Sequence, residues 1–187
     1  MVGWLRMKVK GQSGDTLKLR FAELLQKDGS IYTANLRTAH SADTYILKGK
    51  SMEEWQPTFT YHGFRFVELT GFREKPSLSD FEGQVIYDEM ETTGNLETSD
   101  PMINRIYKNA YWGIRGNYRG MPTDCPQRDE RMGWLGDRAV GSQGESYIFN
   151  NHLLYAKWLD DIEQAQKENG AVPDVAPNYW GVCTDNM

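Results

Sequence analysis

Cysteine and histidine are scarce in this sequence, and their placement argues against the usual structural uses of both. The two cysteines, Cys125 and Cys183, are far apart, and neither belongs to a CxxC pair. We therefore expect free thiols rather than a disulfide framework or a zinc site. The three histidines, His40, His62 and His152, are scattered without the spacing of metal ligands, so we predict no metal site.

Long apolar runs, basic runs and phosphate-binding loops are also missing. No stretch approaches the roughly 20 apolar residues of a membrane span, and the net charge is -5 without a cluster of Lys and Arg. Both features argue against membrane and nucleic-acid partners. A glycine-rich phosphate loop and a GxSxG motif are absent, which argues against kinase, dinucleotide and esterase chemistry. We expect no cofactor. The sequence indicates neither a compartment nor whether copies of the chain associate.

The chain does contain enough apolar material to fold. Of its 187 residues, 39% are hydrophobic and 12% aromatic, which is more than a disordered chain carries. The length allows one large domain or two small ones.

The first half of the chain has the period of β-strands. Residues 5–9 and 16–20 alternate apolar with polar side chains, and the turn-forming stretch 11–14 between them predicts a hairpin. Four more runs rich in β-branched and aromatic residues are predicted strands: 44–47, 58–61, 64–69 and 84–87. Six strands without an intervening helix predict an antiparallel β-sandwich.

Helical periodicity replaces this pattern after residue 88. Either Ser99 or Asp100 is the predicted N-cap of a first helix, with Pro101 in its first turn. Two more helices are predicted, one from Glu130 or Arg131 toward residue 150 and one from the cap Asn151 to a stop at Gly170. We therefore predict a multi-domain chain, β then α: a β-sandwich at 1–89, a linker at 90–98 and a helical region at 99–187.

The segment 122–138 concentrates polar chemistry, with four acids and three arginines in a Pro- and Gly-rich bend. If the chain is helical from Glu130, then Trp134 at i+4 and Asp137 at i+7 lie on the same face. Two carboxyl groups beside an indole suit sugar chemistry. Carboxylates bind hydroxyls, an indole stacks on a pyranose, and a protonated carboxyl can protonate a leaving oxygen.

A solvated salt-bridge network is the alternative interpretation of this segment, since alternating acids and arginines are more common on surfaces than in active sites. Composition does not separate the two. The bend next to Trp134 favours a site, because loops at the end of a scaffold commonly carry function. A general acid at Glu130 would also need burial or a nearby carboxylate, such as Asp124 or Asp129, to retain its proton.

Seven strings spread along the chain carry a family resemblance. They are Val-Gly-Trp-Leu-Arg at 2–6, Phe-Ala-Glu at 21–23, Tyr-Thr-Ala-Asn-Leu-Arg at 32–37, Asp-Thr-Tyr at 43–45, Phe-Thr-Tyr-His-Gly-Phe-Arg-Phe-Val-Glu at 59–68, Pro-Thr-Asp-Cys-Pro-Gln-Arg-Asp-Glu-Arg-Met-Gly-Trp-Leu-Gly-Asp at 122–137 and Gly-Ala-Val-Pro-Asp-Val-Ala-Pro at 170–177. In this order they resemble bacterial α-L-rhamnosidases of glycoside hydrolase family 78, and the string at 122–137 is the most specific. The resemblance implies a β-sandwich, here without its opening strands, followed by the first helices of an (α/α)6 barrel.

The resemblance also implies roles for single residues. Glu130 would be the general acid of an inverting glycosidase that removes terminal, non-reducing α-L-rhamnose from glycosides or polysaccharides. Asp124 and Asp137 would hold rhamnose hydroxyls, and Trp134 would line the sugar pocket. Asp174 would lie near the pocket rim, where a loop role without substrate contact remains open. The family's general base, a second glutamate, comes from later in the barrel. We therefore expect an internal fragment with little or no activity by itself.

Other readings of the sequence stay open. A non-catalytic carbohydrate-binding or scaffold fragment is the alternative function, and another glycosidase on the same barrel is a third. Trp180 either stacks on a sugar or fills the barrel core. The His-Gly pair at 62–63 belongs to a family string, but a turn that needs Gly63 explains it without chemistry. Residues 35–37 are predicted to anchor a loop rather than to contact substrate.

Overall fold

A computed structural model describes residues 1–49 and 51–179, which form two compact units. The β unit contains residues 1–86 together with the short segment 126–129. The helical unit contains residues 87–125 and continues from residue 130. The predicted order, β-sheets first and helices second, is confirmed.

Among its described residues, the β unit has nine strands, and every pairing between these strands is antiparallel. The strands are β1 (Val2–Val9), β2 (Thr16–Ala22), β3 (Leu24–Leu25), β4 (Ile31–Tyr32), β5 (Ala42–Ile46), β6 (Glu53–Trp55), β7 (His62–Gly63), β8 (Phe66–Thr70) and β9 (Phe81–Val85). In the first sheet β1 pairs with β9 on one side and with β6 and β7 on the other. The second sheet has the order β5-β2-β8, and β3 and β4 form a two-stranded ribbon.

The hairpin predicted between residues 5–9 and 16–20 is wrong, because β1 and β2 lie in different sheets. The turn between them bonds to the chain after β5: the N–H of Gly14 donates to the carbonyl of Leu47 at 2.9 Å. Alternation within a strand selects its buried face and leaves its partner undetermined. The run 58–61 is not a strand, whereas the short strand β6 was not predicted.

The core of the β unit draws side chains from both sheets. Met7 and Val9 of β1 lie in one buried cluster with Leu17, Leu19 and Phe21 of β2. These five residues occupy the apolar positions that the alternation predicted to face inward. The cluster shows that the two sheets of this unit share one core.

The helical unit contains α1 (Pro101–Gly116), α2 (Leu135–Ser146) and α3 (His152–Ala165). The side chain of Asp100 caps α1 by accepting a hydrogen bond from the N–H of Met102 at 2.7 Å, so Asp100 rather than Ser99 is the cap. The predicted stop of the last helix at Gly170 is wrong, because α3 ends at Ala165 and Gln166 is extended.

The start predicted for α2 is also wrong. The helix begins at Leu135 instead of Glu130 or Arg131, and residues 130–133 are irregular. Arg131 has a φ of 53°, in the left-handed region that interrupts a right-handed helix. The local sequence contains good helix formers, but the fold uses this stretch for pairing with a later segment.

The helices pack around a core of their own. Tyr118, Ile148, Phe149 and Leu154 are buried together, and Ile114 of α1 packs against them. Nearer the start of α1, the apolar side chains of Ile103 and Ile106 are exposed. None of the helices formed by the described residues is long and apolar enough to span a membrane.

Candidate functional site

The polar segment folds into a loop that is closed by Asp124 and Met132. The N–H of Asp124 donates to the carbonyl of Met132 at 2.9 Å, and the N–H of Met132 donates to Oδ1 of Asp124 at 2.7 Å. The second of these bonds uses a carboxylate acceptor, which makes it stronger than a neutral hydrogen bond. Asp124 therefore has a structural task in closing the loop.

Asp124 and Glu130 come together inside this loop. One side-chain atom each from Asp124, Cys125 and Glu130 forms a group whose members lie within 4.8 Å of one another. Cys125 is buried, while the two acids are partly buried with one oxygen each, Oδ2 and Oε2, shielded from solvent. The loop thus places two partly buried carboxyl groups next to each other.

Asp124 was a candidate neighbour of Glu130 from the sequence, but the Cys125 thiol beside them and the loop closure that brings the two acids together were not foreseen. Among the described residues, Asp124, Cys125 and Glu130 are the set of His, Cys, Asp and Glu side chains whose ligand atoms lie close enough together to share a cation. Three mixed donors are one short of the four ligands of a structural zinc site, so we assign it no metal. Cys125 forms no disulfide with a described residue, whereas Cys183 and Trp180 lie outside the described residues.

Trp134 and Asp174 are brought together by backbone pairing. Trp134 pairs with Val175 in an isolated antiparallel bridge, and the N–H of Leu135 donates to the carbonyl of Asp174 at 2.9 Å. Trp134 is half-buried and occupies the N-cap position of α2. The late segment thus sets Asp174 beside the residue that precedes α2.

Gly133 allows this close pairing. The N–H of Ala176 donates to the carbonyl of Gly133 at 3.0 Å, and the indole N–H of Trp158 donates to the carbonyl of Ala176 at 2.8 Å. A Cβ on Gly133 would lie 2.3 Å from the Ala176 oxygen and 2.7 Å from the Trp158 indole nitrogen. Neither distance is tolerable, so any larger residue must displace the paired segment.

We expect Gly133→Ala to destabilise the chain by about 1 to 3 kcal/mol, the usual cost of overpacking. The matched control is Gly136→Ala in α2, where an added Cβ meets nothing within 4 Å and should be neutral or stabilising by about 0.5 to 1 kcal/mol. Chemical denaturation measures both free energies of unfolding. Equal values for the two variants would contradict the packing assigned to Gly133.

Asp137 is separate from this arrangement. It lies in the first turn of α2 and is exposed. Glu130 precedes the helix by five positions in the sequence, so the predicted single helical face with Glu130, Trp134 and Asp137 is wrong.

Sequence reasoning missed a buried network of hydrogen bonds and an ion pair centred on Glu145. Glu145 accepts hydrogen bonds at Oε2 from the hydroxyls of Tyr118 (2.6 Å) and Tyr155 (2.7 Å), and its Oε1 pairs with Arg138. Arg138 also donates to the carbonyl of Thr123, the residue before Asp124. Burial, followed by the hydrogen bond to the Glu145 carboxylate, raises the pKa of both tyrosines. The spacing of Arg138 and Glu145, seven apart on one helix, was the available signal.

Asp129, the remaining acid of the segment, belongs to the β unit. Its carboxylate accepts hydrogen bonds from the hydroxyl and the backbone N–H of Thr38. These bonds, above all the one from the Thr38 hydroxyl, hold the pKa of Asp129 below its ordinary value. Asp129 is exposed, and it anchors the segment rather than joining the carboxyl cluster.

Both halves of the chain match family models. A bacterial alpha-L-rhamnosidase concanavalin-like domain matches residues 1–87, and a bacterial alpha-L-rhamnosidase 6 hairpin glycosidase domain matches residues 91–187. Among curated proteins, an alpha-L-rhamnosidase of Streptomyces avermitilis is 48% identical over 95% of this chain and 17% of its own length. Another, of Formosa agariphila, is 42% identical over 98% of this chain and 21% of its own.

Solved structures agree with these matches. The alpha-L-rhamnosidase from Dictyoglumus thermophilum superposes with a TM-score of 0.94 at 44% identity, covering 97% of this chain and 21% of that chain. The Streptomyces avermitilis enzyme complexed with L-rhamnose gives a TM-score of 0.94 at 46% identity, covering 98% of this chain and 18% of that one. The chain thus spans about a fifth of the length of its relatives. Because the matches cover both units, the chain belongs to the bacterial alpha-L-rhamnosidase family.

Proposed function

We propose that the full-length protein carrying this sequence hydrolyses terminal, non-reducing α-L-rhamnosides, with Glu130 as the general acid. The observation that carries the proposal is the loop in which Asp124 and Glu130 come together, within a chain whose relatives are named alpha-L-rhamnosidase. Partial burial and a neighbouring carboxyl group are conditions under which general acids of glycosidases operate. Glu130 donates its proton to the glycosidic oxygen as the bond to the leaving group breaks.

The other four site residues are proposed to bind the sugar. The Asp124 carboxylate, already held through Oδ1, accepts a hydrogen bond from a rhamnose hydroxyl, and the half-buried indole of Trp134 lines the pocket. Asp174, beside the Trp134 segment, contributes to the pocket rim. Asp137 is exposed in this chain, and its proposed contact to a hydroxyl requires the sugar to reach the first turn of α2.

Inversion requires a second carboxylate that activates water on the opposite face of the sugar, about 6.5 to 9.5 Å from the acid. We propose that this base lies outside the 187 residues, in a complete (α/α)6 barrel that begins with residues 99–187. The region 1–89 is proposed to be part of a β-sandwich, with 90–98 as the linker. A segment that has the acid without the base should not turn over substrate.

The test is rhamnoside hydrolysis by the full-length protein followed by proton NMR. We expect 4-nitrophenyl α-L-rhamnoside to be cleaved in preference to other 4-nitrophenyl glycosides, and β-L-rhamnose to appear before mutarotation. The 187-residue chain alone should give no turnover. Initial release of α-L-rhamnose would contradict inversion, and preference for another sugar would contradict the proposed substrate. Rhamnose binding without turnover by the full-length protein would favour the alternative, a non-catalytic carbohydrate-binding function.

A further inference from the structure

The four residues that precede Glu130 are held by the β unit, although the residues on either side of them belong to the helical unit. This anchored segment comprises residues 126–129. Its two ends make separate contacts within the β unit, one at Gly63 and one at Thr38. Neither residue has a role in the proposed chemistry.

The first of these contacts is a close approach of Pro126 and Gln127 to Gly63. A Cβ on Gly63 would lie 2.9 Å from Cγ of Pro126, 3.0 Å from Cβ of Gln127 and 3.2 Å from the backbone nitrogen of Gln127. No positive φ is involved, so the need for glycine comes from the anchored segment. The turn explanation predicted for Gly63 is therefore replaced by a packing one.

Gly63 itself is fixed by the core of the β unit. Its strand β7 pairs with β1, Gly63 opposite Val2. The preceding residue, His62, is buried with its Nε2 2.9 Å from Oδ1 of Asp43, and its ring stacks on Phe21 with centroids 4.1 Å apart. The surface on which Pro126 and Gln127 rest is thus tied to both sheets.

The second contact is the pair of hydrogen bonds from Thr38 to Asp129. Thr38 follows the short 3-10 helix Ala34–Leu36, and Arg37 between them has a φ of 58°. The hydroxyl of Thr38 and its N–H, the latter at 3.3 Å, donate to Oδ2 of Asp129. The lowered pKa of Asp129 keeps the acceptor charged at neutral pH, and the bond is lost only as the pH falls through that lowered value.

We propose that Thr38 and Gly63 are positioning residues for the general acid. By fixing the two ends of the anchored segment, they fix the position of Glu130, the residue that follows it. The inference rests on the proposed function, in which Glu130 is the acid. Asp129 and Glu130 are consecutive, with Cα atoms about 3.8 Å apart, so a displacement of Asp129 is passed on to Glu130. A misplacement of about 1 Å at a reacting group can cost about 100-fold in rate.

The principal variant is Thr38→Val, which keeps the shape and the N–H but removes the hydroxyl, and its matched control is Thr38→Ser, which keeps the hydroxyl. In the full-length protein, Thr38→Val should lower kcat about 10- to 100-fold on an alkyl α-L-rhamnoside, with KM changed less than about twofold. The loss should be much smaller on 2,4-dinitrophenyl α-L-rhamnoside, whose leaving group needs no proton. Thr38→Ser should behave like wild type.

A second set of variants separates positioning from loss of structure. Asp129→Ala should reproduce Thr38→Val, and the double variant should lose no more than either single one. Gly63→Ala should show the same dependence on leaving group, whereas Gly113→Ala, where an added Cβ meets nothing within 4 Å, should not. In a Glu130→Gln background, Thr38→Val should cause no further loss.

Three results would overturn the positioning role: wild-type kcat in folded Thr38→Val, equal losses on both substrates, or a Thr38→Ser variant as impaired as Thr38→Val. Each of these leaves the proposed function intact as long as Glu130→Gln is inactive on the alkyl rhamnoside. Absence of rhamnoside turnover by the wild-type protein would instead overturn the proposed function, and the positioning role with it.

Discussion

Glu130→Gln is expected to lower kcat/KM of the full-length protein on an alkyl α-L-rhamnoside by about 100- to 10,000-fold, the usual contribution of a general acid. The amide has nearly the shape of the carboxyl group but has no acidic proton to transfer. KM should change far less than kcat, because the lost interaction develops only as the glycosidic bond breaks. Steady-state kinetics at several pH values measures both constants.

The matched control for this substitution is Glu163→Gln, which makes the same chemical change at an exposed position near the end of α3. It should leave the kinetic constants within about twofold of wild type, since it touches no proposed site residue. Glu130→Gln with wild-type kcat/KM, in a folded protein, would remove Glu130 from the role of acid.

Glu145→Ala is expected to destabilise the protein by about 3 to 5 kcal/mol, the largest stability effect that the described residues suggest. The substitution leaves Arg138 buried without its ion-pair partner, and it also removes the acceptor of the Tyr118 and Tyr155 hydroxyls. Breaking a buried ion pair from one side commonly costs this much. The free energy of unfolding from chemical denaturation, compared with that of exposed Glu163→Ala, measures the effect.

The same variant should also affect the loop, because Arg138 holds the carbonyl of Thr123 next to Asp124. Loss of rhamnoside activity should therefore accompany the loss of stability. A Glu145→Ala protein as stable as Glu163→Ala would contradict the network, and so would a stable variant in which the Tyr155 hydroxyl titrates as it does in wild type.

The β unit shows how far alternation of apolar and polar residues can predict a fold. Leu17, Leu19 and Phe21 are buried as the pattern required, since a period of two assigns each side chain to a face. The pattern does not identify the neighbouring strand. The pairing of β1 with β9, more than seventy residues later in the chain, depends on contacts that no local window contains.

The candidate site was predictable in its residue types and not in its geometry. The density of acids around Trp134 pointed to the segment in which Asp124 and Glu130 come together. The predicted helical face with Glu130, Trp134 and Asp137 was wrong, because Gly133 pairs with Ala176 and Arg131 adopts a left-handed conformation. The Gly133 pairing depends on a segment about forty residues later, against which helix propensity is a weak guide.

The most direct test of the central claim is the dependence of kcat/KM on the acidity of the leaving group, measured over a series of aryl and alkyl α-L-rhamnosides. If Glu130 protonates the departing oxygen, wild-type kcat/KM should vary little across the series, while Glu130→Gln should fall steeply as the leaving alcohol becomes less acidic. Equally shallow dependences for the two proteins would contradict the account.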